Sequence, residues 1–424
     1  MIRFLLKGLL RDRHRSVLPV LVVAIGVMLT VVFQSWLTGV IGDSIEFNAR
    51  FSTGHVKVMT TAYADNINQM PNDLAILNSD SLCNILRHDF PTMDWIERIH
   101  FAGLIDVPDE KGDTKTQGNV MGFGVDLFSP HTAEIDRMNI RQSLIRGHLP
   151  KKSGEILISD ELALKLSIFP GSIVSLISST MNGEMAVYNF VVSGTIAFGT
   201  SALDRGTIIA DISDVRKALD MENATGEILG LSREGYFDAV NAKNITDQFN
   251  KKYNRRNDEF SPLMISLKDQ NSMGFLVDYT SKLLGIMIFV FLLAMSIVLW
   301  NAGLLGGLRR YGEFGMRLAI GEEKRHVYLT MIYESLLIGI IGSVIGVAVG
   351  MLFAWYLEHY GVNFGGIMKN ATLLMPTVFK ARITATTWFI GFIPGILSTL
   401  IGTMLSGIGI YKRQTAQLFK ELEA

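Results

Sequence analysis

Residues 16–42 read SVLPVLVVAIGVMLTVVFQSWLTGVIG and contain no charged side chain. A helix needs about 20 apolar residues to cross the hydrocarbon core of a bilayer, so this run is long enough to span a membrane. Residues 283–308, 335–357 and 383–411 are also free of charge and long enough. The sequence therefore predicts a membrane protein with four transmembrane α-helices, one before and three after a large water-exposed domain.

The positions of the charged residues divide the chain into nine predicted segments. They are a basic leader (1–15), a first transmembrane helix (16–42), a mixed α/β domain (43–280), a second helix (281–308), a charged segment (309–326), a third helix (327–357), a loop (358–382), a fourth helix (383–411) and a tail (412–424). The first apolar run exceeds the ~7–15 residues of a cleavable signal core and no A-x-A site follows it, so we expect it to be retained.

The distribution of basic residues predicts the orientation of the chain. The leader and the charged segment each carry five lysines and arginines, whereas the loop between the third and fourth helices carries three. Basic residues in short flanks favour the cytoplasmic side. We therefore expect both termini and residues 309–326 to be cytoplasmic, and residues 43–280 to face the other side.

Glycines in the third and fourth helices predict close helix packing. Gly342, Gly346 and Gly350 repeat every four residues and form a ridge on which another helix can lie. We expect this ridge to pack within the chain rather than to form a dimer face. Pro394 lies inside the fourth helix and should kink it.

Residues 43–280 alternate between strand-like and helix-like patterns. Predicted strands include 54–58, 156–158, 172–177, 186–192 and 207–210, and predicted helices include 160–166, 212–219 and 236–253. This pattern indicates a mixed α/β domain of two subdomains. Cys83 is the only cysteine, which excludes an intramolecular disulfide, and its position in a helix favours a buried structural thiol.

Several function classes have no support in the sequence. The net charge of -1 gives no basic surface for nucleic acid. The dipeptide Gly-Lys never occurs, so the chain has no P-loop, and the G-x-S-x-G and H-E-x-x-H motifs are absent. His131 and Glu134 have a spacing that could suit a metal, but scattered histidines make such pairs easily. We expect a non-catalytic chain that binds no metal and no cofactor of its own.

The charged segment between the second and third helices carries the strongest functional signal. Residues 308–323 read LRRYGEFGMRLAIGEE. An amphipathic helix lying on anionic headgroups is one interpretation. The acidic residues Glu313, Glu322 and Glu323 count against a purely lipid contact, and Gly315 and Gly321 would let another backbone approach closely.

The same segment resembles the signature of a known family. The run 313–321, EFGMRLAIG, followed by Glu334 and preceded by Arg310, resembles the FtsX/MacB superfamily of ABC transporter permeases. Residues 146–150 (RGHLP) and 154–159 (GEILIS) resemble the extracytoplasmic core of that family, of MacB-like periplasmic type.

The resemblance implies a mechanism and a set of partners. Such permeases work in the bacterial inner membrane as dimers, with a second copy or a paralogue, and with separate ATPase subunits that bind ATP and Mg. Their cytoplasmic segment is a coupling helix in a groove of the ATPase, and the long first and second helices pass motion to the outer domains. The residues that would contact the ATPase here are Arg309, Arg310, Glu313, Phe314, Gly315, Arg317, Ala319, Gly321 and Glu322.

Glu334 is an acidic residue inside a predicted span and has two interpretations. It could link the coupling helix to the third span through Arg310 or Arg317, or it could reach the cytoplasmic interface.

Three hypotheses follow for the branch of the family. Residues 52–58, STGHVKV, resemble the lipoprotein-releasing (LolC/LolE-type) branch, in which residues 27–36 and 286–298 would hold the acyl chains of a lipoprotein. The second hypothesis is an exporter of peptides, antibiotics or siderophores with a periplasmic adaptor. The third is a non-transporting signalling subunit that controls a cell-wall hydrolase or a sensor kinase.

Overall fold

The computed structural model describes residues 13–412 except 110, 131, 200, 234, 256–257, 271–272, 309–310 and 365–377. The described residues form two compact units. The membrane-helix unit lies within Met1–Ile41, Tyr279–Val362 and Val378–Ala424, and the α/β unit lies within Gly42–Asp278 and Asn363–Thr377. Most of the predicted leader and tail, and part of the loop 358–382, lie outside the described residues.

The helices are α1 (Arg13–Asn48), α2 (Thr61–Asp65), α3 (Ser79–Asp89), α4 (Glu134–Arg137), α5 (Ile140–Ser143), α6 (Asp160–Leu166), α7 (Ser201–Asp204), α8 (Ile212–Ala218), α9 (Ala239–Tyr253), α10 (Met273–Leu308), α11 (Tyr311–Ala319), α12 (Lys324–Tyr360), α13 (Ala385–Ile390) and α14 (Thr399–Lys412). The strands are β1 (Val56–Thr60), β2 (Ile76–Leu77), β3 (Met93–Pro108), β4 (Thr114–Val125), β5 (Leu144–Gly147), β6 (Glu155–Ser159), β7 (Ile173–Ser179), β8 (Met185–Ile196), β9 (Thr207–Asp211), β10 (Ala224–Thr225), β11 (Glu227–Ser232), β12 (Pro262–Ser266), β13 (Val362–Asn363) and β14 (Val378–Phe379). The described part of the chain also has two π-helical segments, Ala49–Thr53 after α1 and Ile393–Ser398 between α13 and α14.

The described residues contain four helical stretches that are long and apolar enough to cross a membrane, which confirms the predicted fold class. They are Val17–Thr53, Val277–Leu305, Lys324–Tyr360 and Ala385–Ile408. The last stretch is less regular than the kinked helix expected from the sequence, because α13 ends after six residues and a π-helical segment follows it. Pro394 lacks the N–H that an α-helical turn needs, and the wider π turn accommodates it.

The α/β unit is built on one sheet that contains a closed ring. Nine strands hydrogen-bond in the order β12-β1-β11-β3-β4-β9-β6-β8-β5, and the tenth strand, β7, pairs with both β3 and β8. The pairings β3-β4-β9-β6-β8-β7-β3 therefore close into a ring of six strands. The long strand β3 pairs with β11 from Met93 to Arg98 and with β4 from Ile99 onward, so the two predicted subdomains share one strand.

Each part of the sheet has its own apolar core. The core of the ring includes Ile99, Phe101, Ile156 and Phe190, and a second core under α3 and α9 includes Cys83. Cys83 is buried as the sequence predicts, and its burial raises the pKa of the thiol to about 12. The strands β3 and β4 were not expected from the sequence.

A buried charge cluster lies where β1, β3 and β11 meet. The Lys57 ammonium lies 2.7 Å from a carboxylate oxygen of Glu227, and His100 Nε2 lies 3.7 Å from the same oxygen. All three side chains are at most 10% exposed. Burial lowers the pKa of His100 to about 4 against the opposing effect of Glu227, so the imidazole is neutral in the folded protein at neutral pH.

We expect His100 to make the folded protein less stable as the pH falls. An unfolded histidine gains a proton below about pH 6.5, whereas folded His100 does not, so the free energy of unfolding falls by about 1.4 kcal/mol per pH unit between those two pKa values. Replacing His100 by Gln should reduce this slope, whereas the exposed His148 replaced by Gln should not. Urea unfolding of the full chain in detergent between about pH 6.5 and about pH 5 measures it. Equal slopes in both variants would contradict this assignment.

Candidate functional site

The predicted coupling segment folds as a short helix with a defined end. Glu313, Gly315, Arg317 and Ala319 lie in α11. The N–H of Gly321 donates to the carbonyl of Leu318, and the N–H of Glu322 donates to the carbonyl of Arg317, both at 3.1 Å. These two bonds form a Schellman motif, which needs a left-handed residue after the helix. Gly321 supplies it with a φ of 99°.

The turn after α11 leads directly into the third span. Glu323 precedes α12, and Glu322 pairs with His326 at 3.7 Å. The role of Gly321 in the structure is thus the left-handed turn. Among the described residues beyond its two chain neighbours, no atom lies within 4 Å of the place where its Cβ would be.

One face of α11 and its following turn is exposed and mixes apolar with basic side chains. Met316 is 56% exposed and Ile320 is 82% exposed, and Arg317 and Ala319 are exposed beside them. Gly315, in contrast, is buried within the chain. Two large exposed apolar side chains beside an arginine suit a surface that is covered either by another protein or by lipid headgroups.

Some predicted site residues lie beyond what the structure describes. Arg309 and Arg310 are outside the described residues, as is His131, and of Phe314 only the backbone is described. Glu334 lies in α12 and is partly buried, and its pairing with Arg310 or Arg317 stays a prediction. Glu134, which the spacing weakly associated with a metal, instead accepts hydrogen bonds from Arg98 and Arg137.

The glycine ridge of α12 receives three valines of α1. A Cβ at Gly346 would lie 2.5 Å from the carbonyl oxygen of Ala24 and 2.7 Å from Cβ of Val27. The two flanking glycines face valines in the same way, at 2.7 Å for Gly342 with Val23 and 2.9 Å for Gly350 with Val31. The three valines are at most 1% exposed.

The fourth span packs against the same valines and adds polar contacts. A Cβ at Gly391 would lie 2.7 Å from Cγ1 of Val27. Gln34 of α1 is buried, and its Oε1 accepts a hydrogen bond from Thr387 at 2.8 Å. A buried amide inside a span is stabilised by such interhelical bonds. Gln34 was not predicted as a packing residue, although a glutamine inside the charge-free run 16–42 indicates a polar contact between helices.

The C-terminal spans match a known domain family. Residues 285–415 match the family described as FtsX-like permease C-terminal, a range that contains α11, the glycine ridge and the fourth span. This part of the chain is therefore similar to FtsX-like permeases, and the described residues contain four helical stretches that could cross a membrane.

The similar curated proteins include lipoprotein-releasing system transmembrane proteins LolC from two strains of Xylella fastidiosa. The LolC of strain 9a5c is 26% identical over 283 residues, which are 64% of this chain and 65% of that protein. The LolC of strain Temecula1 is 24% identical over 49% of this chain and 50% of that protein. The chain thus spans less than two thirds of the LolC proteins it matches.

Two further matches involve MacB. The macrolide export ATP-binding/permease protein MacB of Haemophilus ducreyi is 26% identical over 34% of this chain and 18% of that protein. The crystal structure of the periplasmic region of MacB from Actinobacillus actinomycetemcomitans aligns with a TM-score of 0.33 at 13% identity, covering 52% of this chain and 91% of that one. The sequence matches confirm the resemblance to the FtsX/MacB superfamily near its LolC branch.

We expect Gly346→Ala to weaken the packing of α12 on α1. An alanine raises helix propensity by about 1 kcal/mol relative to glycine, but its Cβ would clash with Ala24 and Val27. Gly285→Ala in α10 is the matched control, because no described atom outside the local helix backbone lies within 4 Å of its Cβ position. Thermal unfolding in detergent should show a lower midpoint for Gly346→Ala alone. A midpoint unchanged in both variants would contradict this packing.

Proposed function

We propose that this chain is the permease subunit of an ABC transporter in the bacterial inner membrane. It would couple ATP hydrolysis by a separate ATPase subunit to the release of lipoproteins at the outer face of that membrane. The observation that carries the proposal is the FtsX-like domain at residues 285–415, which encloses a short charged helix between two spans. The match to LolC supports the choice of lipoproteins as the substrate.

The exposed face of α11 is the proposed contact with the ATPase. Met316 and Ile320 supply apolar surface and Arg317 a positive charge. Because Gly315 is buried within the chain, its replacement would disturb internal packing before it affected a partner. Ile320 is therefore a cleaner site for testing the contact than Gly315.

The exposed parts of the spans refine the proposed acyl-chain surface. Val27 and Val31 of α1 are fully buried under the glycine ridge, so they do not offer a lipid surface. In α10, Ile286, Phe289 and Val290 are 57–63% exposed within the chain. This apolar face would contact the acyl chains of a lipoprotein, membrane lipid or the second permease of the dimer.

A second candidate function is an exporter that works with a periplasmic adaptor. The match to MacB of Haemophilus ducreyi favours it, although that match covers a smaller part of this chain than the LolC matches do. A co-purifying adaptor, in the absence of a bound lipoprotein, would support the exporter.

We expect Ile320→Asp to separate the permease from its ATPase. The aspartate would be buried against the ATPase when the two subunits bind, which should weaken their affinity by about tenfold or more. Position 320 is exposed in the chain itself, so the substitution should leave the fold intact. Leu164→Asp, at a 64% exposed leucine in α6, is the matched control. The measurement is ATP turnover and release of an acylated lipoprotein in proteoliposomes to which the ATPase, purified with the wild-type permease, is added to each variant in equal amount.

In these proteoliposomes, the wild-type protein should show ATP turnover stimulated by the lipoprotein, and Ile320→Asp should lose that stimulation. Stimulation unchanged by Ile320→Asp would show that the α11 face is not the contact. If the wild-type complex released no lipoprotein, the proposed substrate would be wrong.

A further inference from the structure

The first helix enters the α/β unit through a π-helical turn whose carbonyl groups are held by side chains. The α-helical pattern of α1 ends at Asn48, and the segment Ala49–Thr53 is π-helical, closed by a 2.8 Å bond from the Gly54 N–H to the Ala49 carbonyl. Such turns are rare and occur frequently at functional sites. Gly54 has a φ of 60°, and a Cβ there would lie 2.6 Å from the Val56 carbonyl oxygen.

Two buried side chains from other elements donate to this turn. Nη1 of Arg98, in β3, donates to the Phe51 carbonyl at 2.8 Å. Nε2 of Gln270, after β12, donates to the Thr53 carbonyl at 2.9 Å. Arg98 is fully buried and Gln270 is 4% exposed. Carbonyls at a helix end lack intrahelical partners and carry partial negative charge, so an arginine there is strongly favoured.

A histidine and a glutamate close the turn from the other side. Oε2 of Glu46 lies 2.8 Å from Nε2 of His55, and both side chains are nearly buried. The backbone N–H of Ser232 donates to Nδ1 of His55 at 3.0 Å. Because a backbone N–H can only donate, Nδ1 is the acceptor, and Nε2 carries the proton that it donates to Glu46. Glu46 lies on α1, His55 lies just before β1, and Ser232 ends β11. The two hydrogen bonds of His55 therefore connect α1 to β11.

The start of α10 packs beside this π-helical turn. Val277 of α10 packs with Ala49, Leu231 and Leu267 in one buried apolar cluster, against which Ile45 of α1 also packs. Both long helices are therefore attached to the sheet through a single joint, defined here as Glu46, His55, Arg98, Gln270 and the Val277 cluster.

We propose that Glu46 and His55 are positioning residues that make the end of α1 and the start of α10 move as one body with the sheet. This inference rests on the proposed function, in which motion of the long helices does work in the α/β unit. A flexible junction would absorb such motion, whereas a joint with satisfied buried polar groups transmits it. The joint determines how much release each ATP produces, and it does not contribute to ATP hydrolysis.

The test compares four variants of the full chain in nanodiscs with its ATPase. Glu46→Leu removes the acceptor for His55, and Glu46→Gln keeps an acceptor oxygen. Arg50→Ala is the control, because Arg50 also bonds Glu46, at 3.1 Å, but is 45% exposed. Three quantities are measured: ATP turnover without substrate, lipoprotein released per ATP, and amide hydrogen exchange of residues 49–55.

With Glu46→Leu, exchange of residues 49–55 should rise by about tenfold, because the buried hydrogen bond from His55 to Glu46 is lost and this segment then opens more readily. Release per ATP should fall by about tenfold, and ATP turnover without substrate should stay the same. Glu46→Gln and Arg50→Ala should behave like the wild-type protein. Gln270→Leu, which removes the donor to the Thr53 carbonyl, should also give faster exchange and lower release per ATP. Agreement of two different substitutions would show that the effect is not misfolding of one variant.

Unchanged release per ATP in a Glu46→Leu protein with faster exchange would overturn the inference, as would unchanged exchange. A wild-type complex that releases no lipoprotein would instead contradict the proposed function. The exchange result, which needs no substrate, then decides whether Glu46 holds the joint.

Discussion

The structure depends on the close contact of α1 with α12. Three glycines on α12 leave space for Val23, Val27 and Val31, and this contact brings the two backbones closer than any larger residue would permit. Within a bilayer, lipid tails are as apolar as leucine, so helices associate through such van der Waals packing and through polar contacts rather than through the hydrophobic effect. Gln34 adds a polar contact of this kind to the fourth span.

This packing gives α1 a fixed place in the membrane-helix unit, and α1 continues as one helix to Asn48. Its last turns are part of the α/β unit, where Arg98, Gln270 and His55 hold the chain. The charged helix α11 leads through the Gly321 turn into α12. In the proposed function, the long helices α12 and α1 would connect a contact at α11 with work in the α/β unit. Such elements are suited to transmitting a rigid-body shift.

Much of this organisation could be predicted from the sequence. The charge-free runs identify the four spans because soluble core helices rarely extend that far without a charged residue, and the Gly342–Gly346–Gly350 spacing identifies the ridge. The valines that fill the ridge could not be predicted, because valine is common throughout α1 and pairing depends on rotation and register. The sequence also could not separate Gly315, which is buried, from Gly321, which makes the turn.

Strand β3 and the joint around Arg98 could not be predicted from the sequence, and the physical reason is the same for both. Arg98 and His100 interrupt the apolar alternation of β3 with side chains that look solvent-exposed in the sequence. They are buried because Glu134, Glu227 and the Phe51 carbonyl come from distant positions to pair with them. Long-range pairing of this kind leaves no local pattern.

The most direct test of the central claim is the location of lipoproteins in cells depleted of this chain. If this chain releases lipoproteins, those destined for the outer membrane should accumulate in the inner-membrane fraction of depleted cells, and the wild-type gene should restore their sorting. Normal lipoprotein sorting after complete depletion would contradict it.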